Sequence, residues 1–137
     1  MGEVRTKVKL TNFIDQALAR QGRLPSSQVR SVETDALVDT GAVRSVLPPH
    51  LFQQLGLETI GDKVVEYADG RKESVPVATG IHFEVMNRDT VDDAYVLGDE
   101  VLIGQTILEK LDLFVDCAHN RLVPNPAHPD QPVNKLK

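Results

Sequence analysis

The sequence has no tryptophan, two tyrosines, four phenylalanines and a single cysteine among its 137 residues. So few aromatic rings leave no platform on which nucleic-acid bases could stack. Cys117 alone cannot form an internal disulfide, which points to a reducing compartment. Long apolar runs are also missing. The longest stretch without Asp, Glu, Lys or Arg is Ser45–Leu57, 13 residues broken by Pro48-Pro49, whereas a membrane span needs about 20. The first residues carry Glu3, Arg5, Lys7 and Lys9 among apolar ones and lack the continuous apolar core of a signal peptide. Nor is there a surplus of positive charge. Fifteen Lys and Arg face 20 Asp and Glu, a formal net charge of −5, which argues against nucleic acid or an anionic membrane as partner. The expectation is a soluble, cytoplasmic protein. His50, His82, His119 and His128 are scattered without ligand spacing, so no metal or other cofactor is expected.

What remains is the composition of one globular domain, 41% hydrophobic and 26% charged, large enough to bury a core without covalent staples. Val4, Thr6, Val8 and Leu10 alternate with Arg5, Lys7 and Lys9, the period of a half-buried strand. Thr11-Asn12 then offers a helix cap, and Phe13, Ile14, Ala17 and Leu18 form a short apolar stripe that Gly22 ends. Ser31–Val38 reads as a strand leading into Asp39-Thr40-Gly41. Pro48-Pro49 opens a helix over His50–Leu55, stopped by Gly56.

Lys63–Ala68 and Arg71–Val77 flank Asp69-Gly70, which predicts a hairpin with a two-residue turn. Pro76 cannot donate to a ladder, so that hairpin is partly an edge. Strands are predicted at Ile81–Val85, Asp93–Leu97 and Val101–Ile103, with a turn at Asn87-Arg88-Asp89. A helix follows over Thr106–Leu111, then a hairpin of Leu113–Asp116 with Arg121–Val123. Many short strands with small helices predict a compact β-rich domain. Pro124, Pro126, Pro129 and Pro132 make the end of the chain extended.

Leu37-Val38-Asp39-Thr40-Gly41-Ala42 is the segment that asks for chemistry. A carboxylate following a buried apolar strand is pushed toward the interior, where its charge needs donors or a proton-sharing partner. Asp-Thr-Gly alone also arises from ordinary turn chemistry, so its surroundings decide. Sixty-five residues later come Val101-Leu102-Ile103-Gly104 and a helix, with the Asp69-Gly70 hairpin between. This order and spacing resembles the retropepsin-like aspartic proteases, the single-domain relatives of pepsin. In Ala36–Ala42, Tyr67–Arg71 and Leu97–Leu113 it is similar to the bacterial retroviral-type group.

The resemblance, which runs from about Val29 to Pro126, implies an all-β, closed barrel-like fold acting as a twofold homodimer. Residues 1–126 would form the protease domain, with 11–28 a helix and loop insertion and 127–137 an extended Pro-rich tail. Asp39 would be catalytic. Since the chain has one Asp-Thr-Gly, the second carboxylate must come from another copy. Thr40 would donate its hydroxyl across the axis, and Gly41 would let the backbone pass close to the carboxylates. Ala42 stands where many pepsin relatives have a hydroxyl residue, which implies a milder acid optimum. Tyr67, Ala68, Asp69, Gly70 and Arg71 would form a flap over substrate, with Ile103 and Gly104 packed beneath the loop. Where retroviral members often pair an Asp with an Arg, this chain has Val43 and Gln105.

The implied function is hydrolysis of peptide bonds in an extended peptide or protein substrate. Two other readings stay open: a non-catalytic dimeric peptide-binding or assembly module on the same fold, and a plain monomeric β domain. The tail reads as solvated, or alternatively as an autoinhibitory segment in a cleft. Cys117, without a basic cluster beside it, reads as a structural thiol.

Overall fold

The computed structural model describes residues 2–136; Met1 and the last tail residue, Lys137, lie outside the described residues. The chain begins with strand β1 (Val4–Asn12), which runs directly into helix α1 (Phe13–Arg20). Asn12 makes that junction. Its side chain accepts the Asp15 N–H at 3.0 Å as an N-cap and donates to the Leu55 carbonyl at 2.9 Å. After a single turn of 3-10 helix come β2 (Ser31–Val38), β3 (Ser45–Leu47) and α2 (Pro49–Leu55). The chain continues with β4 (Glu58–Glu66), β5 (Lys72–Val85), β6 (Arg88–Val96) and β7 (Val101–Ile103). It ends with α3 (Gln105–Leu111), β8 (Leu113–Asp116) and β9 (Arg121–Pro124).

Six strands close on themselves in the order β1-β2-β7-β3-β6-β5, with β5 returning to β1, and β4 is attached outside the ring to β5. The barrel surrounds a core whose fully buried side chains include Leu10, Ile81, Phe83, Ile103 and Leu111. Each such aliphatic or aromatic group contributes roughly 1.5–3 kcal/mol by leaving water. β8 and β9 form a separate two-stranded sheet.

Closure depends on β5, where the structure corrects the sequence reading. Instead of two strands there is one of 14 residues. It pairs with β4 over Lys72–Thr79 and with β1 over Ile81–Glu84. Its register against β6 shifts between Ala78 and Ile81, where Gly80 takes φ +70°. This bulge bends the strand and lets it change partner. Proline and glycine signals split it in the sequence because they also mark bends inside long strands.

β4 likewise starts earlier than predicted, since nearly all its residues are exposed and no alternation marks it. β3, three residues long, went unread. The turn after β5 is Met86-Asn87, both at positive φ, rather than Asn87-Arg88-Asp89. Arg88 is therefore a strand residue, and it is 6% exposed.

Helix α3 has no side-chain cap at its start but is fixed at its end. The Arg88 guanidinium donates to the carbonyls of Leu111 at 3.0 Å, Asp112 at 2.9 Å and His128 at 2.6 Å. A cation there gives these carbonyls a donor and meets the negative end of the helix dipole. The tail docks at the same place, without regular secondary structure. Asn125 Nδ2 donates to Asp112 Oδ1 at 2.9 Å and the Val133 N–H to Oδ2 at 3.1 Å, while His128 Nδ1 lies 2.6 Å from Oδ2. No helix among the described residues is long and apolar enough to cross a membrane.

Candidate active site

β2 ends at Val38 and β3 begins at Ser45, and β7 pairs with both. The connecting segment must therefore cross the end of β7. The backbone N–H of Asp39 continues the β2–β7 ladder by donating to Ile103 at 3.0 Å. The chain then turns, with the Ala42 N–H donating to the Asp39 carbonyl at 3.2 Å and the Gly41 N–H to Asp39 Oδ1 at 2.9 Å. Asp39 and Ala42 are half-buried, whereas Thr40 and Gly41 are exposed. No hydrogen bond from a described residue reaches Asp39 Oδ2 or the Thr40 hydroxyl.

Helix α3 holds the crossing segment from below. The N–H groups of Gln105 and Thr106 donate to the carbonyls of Ala42 at 2.7 Å and Val43 at 3.0 Å. Thr106 Oγ1 adds a bond to the Val43 carbonyl at 2.8 Å, and the Gly104 N–H donates to Ser45 Oγ at 3.0 Å. Val43 itself is 71% exposed. Gly104 must lack a side chain. A Cβ there would stand 2.6 Å from the Arg44 carbonyl group and 3.0 Å from the Ala42 oxygen.

Above the loop lies an open cleft of about 550 Å3. Asp39, Gly41 and Ala42 form part of its floor, with Val46, Tyr95 and Leu97 beside them, and Val64–Ala68 face them from the β4 side. Of the five residues read as a flap, Tyr67 and Ala68 line this cleft, whereas Asp69, Gly70 and Arg71 form the hairpin tip beyond it.

The tip differs from the predicted two-residue turn. Gly70 N–H donates to the Tyr67 carbonyl at 2.9 Å, Gly70 has φ +88°, and Asp69 is not at positive φ. This is a turn followed by one left-handed glycine, the commoner longer hairpin. Asp69 accepts from the backbone N–H and the guanidinium of Arg71, and these bonds hold its carboxyl below the usual range. Arg71 stacks 4.5 Å from the centre of the Tyr67 ring. The Tyr67 hydroxyl bonds to Glu73, which raises its pKa.

On the other side of Asp39 and Thr40 is a smaller hollow of about 180 Å3, lined by Val4, Val38, Val115, Cys117 and Asn120 among others. Cys117 is exposed there. The docked tail lines neither this hollow nor the cleft.

Arg44, Val46, Tyr95 and Leu97 were not singled out in the sequence. Val46 and Tyr95 reach the cleft through the β3–β6 pairing, with Arg44 and Leu97 adjoining it, and a three-residue strand is too short to show a period. A family model described as aspartyl protease matches residues 26–108, more than half of the chain. No curated protein matches it.

Proposed function

The chain belongs to the retropepsin-like aspartyl protease family, and on that premise we propose that it is an aspartic endopeptidase working as a twofold homodimer. That family is one of aspartic-type peptidases. The observation that carries the proposal is Asp39, held by one internal donor at the floor of an open cleft. In the dimer the two Asp39 carboxyls share a proton, because two like charges side by side in a dry site do not both ionise. The ionised one takes a proton from a water as it attacks the peptide carbonyl. The protonated one donates to the developing oxyanion; the first carboxyl then passes the proton it took from water to the amide nitrogen as the C–N bond breaks, and the diol returns a proton to the second carboxylate.

The exposed Thr40 hydroxyl, without a bond to any described residue, can reach the partner's turn. The hollow beside Asp39 and Thr40 gives that partner a surface to fill. Gly41 and Ala42 keep the turn close to the carboxylates, and Ile103 and Gly104 support it from below. Tyr67, Ala68, Asp69, Gly70 and Arg71 close over an extended substrate paired as a strand.

The test is incubation of the purified protein with an unstructured peptide mixture from about pH 3.5 to 7, read by mass spectrometry, with sedimentation giving the oligomeric state. Wild type should cleave, a statine-type inhibitor should block it, and Asp39→Asn should lower turnover by at least about a thousandfold. Absence of cleavage from protein shown to be dimeric would favour the peptide-binding module instead.

A further inference from the structure

A second hollow of about 330 Å3 adjoins the cleft, lined by Arg44, Ile60, Lys63, Val77, Asp93 and Tyr95. It shares Arg44 and Tyr95 with the cleft that holds Asp39. Its charge is opposite in sign to the net charge of the chain. The chain is acidic, yet this lining sets two cations against one carboxylate.

Both cations are exposed. Arg5, Arg30, Arg71 and Arg121 each hold a carboxylate, as do Lys72 and Lys110. Arg44 and Lys63 form no ion pair with a described residue, and Asp93, in the same hollow, forms none either. The apolar wall comes from Ile60, 56% exposed, and Val77.

The two cations belong to different walls. Arg44 immediately precedes β3 in the loop that carries Asp39, whereas Lys63 lies on β4, the outer strand of the flap hairpin, opposite Val75. Like charges on facing walls repel as the walls approach, and an anion between them reverses the sign of that interaction. An extended peptide in the cleft projects alternate side chains toward floor and flap, and one of them can enter this hollow.

We propose that the hollow is a subsite for an acidic side chain of the bound peptide, with Arg44 and Lys63 as its specificity determinants. The inference rests on the peptidase reading for its substrate class. Asp93 keeps the site from being a general anion sink, since its charge opposes a second carboxylate. Tyr95 joins the subsite to the floor beside Asp39.

The test uses alternating apolar decapeptides in which one Glu, or its Gln counterpart, is walked through every position. Affinity is measured with the catalytically silent Asp39→Asn protein, and kcat/KM with wild type. At one position Glu should be preferred over Gln by about fivefold at low salt, the scale of an exposed ion pair, and the preference should shrink as salt rises. Arg44→Glu should turn that preference into one for Lys at the same position, with Lys63→Glu acting in the same direction. Both residues are exposed, so the folded state should survive either change. Cleavage without any Glu-over-Gln difference overturns the subsite and leaves the peptidase reading intact. A Glu preference in binding without turnover supports the subsite and counts against the peptidase reading. Equal binding of both peptides at every position, or none of either, overturns the subsite.

Discussion

The two ends of helix α3 meet two aspartates that are treated in opposite ways. At its N-terminus, the Gln105 and Thr106 N–H groups are taken by loop carbonyls, and Asp39 above them has one internal donor. At its C-terminus, Asp112 caps the helix at φ +56° and its carboxylate is met by Asn125, His128 and the Val133 N–H, while Arg88 serves the carbonyls. Both aspartates follow a buried apolar element, and both sit at turns. Asp112 is saturated by partners and serves to hold the tail, whereas Asp39, the proposed catalytic acid, is left with fewer partners beside an open cleft.

The largest test of that contrast is Arg88→Met. It keeps the apolar stem but removes the donor to the Leu111 and His128 carbonyls and one of the two donors to that of Asp112, so unfolding stability should fall by about 3 kcal/mol. Asp39→Asn, at the other end, should leave stability within about 0.5 kcal/mol while removing activity. Urea midpoints for both variants decide it, and equal losses would break the comparison.

Gly104→Ala probes the support under the loop. Its added carbon would press on the Arg44 backbone, with an expected loss of about 2 kcal/mol and reduced peptide cleavage. Retained cleavage with lowered stability would show that the loop geometry near Asp39 is insensitive to its floor.

The smallest effect is in acid. Hydrogen bonding, first from Asn125, lowers the Asp112 pKa from 3.8 to about 2. A carboxyl depressed on folding contributes stability that is present above its unfolded pKa and lost as pH falls through the folded one. The tail should therefore stay docked near pH 3.5 and loosen toward pH 2, seen as loss of hydrogen-exchange protection at Val133. Asp112→Asn should flatten that part of the profile. Some acid dependence should remain, because Asp15, bonded to Arg30, is lowered in the same sense.

Much of this molecule could be read along the chain. The strand before Asp39, the caps of α1 and α2, and the apolar run Val101–Ile103 all have local signals: alternation, a polar cap, a glycine stop. The Asp-Thr-Gly turn and its spacing to Gly104 were legible for the same reason, as each is a short pattern set by backbone demands. Arg88 was not, because the Met86-Asn87 turn lacks the glycine that usually announces two positive φ angles in a row, and an arginine in a strand reads as surface. The docked tail was hidden too. Its prolines show only that it is extended, whereas its anchor, Asp112, gains partners from residues up to 21 positions away.

By itself the sequence determined most of the strands and helices, that a carboxylate stands at an Asp-Thr-Gly turn, and that the sequence holds no second Asp-Thr-Gly. Those follow from period, capping and backbone freedom, which act over a few residues. Only the tertiary structure decided that β5 changes partner to close the barrel, that β7 lies between β2 and β3 under the Asp39 loop, and that Arg44 and Lys63 face one hollow. These depend on packing between segments far apart in the chain, where a shared core rather than local preference selects the arrangement.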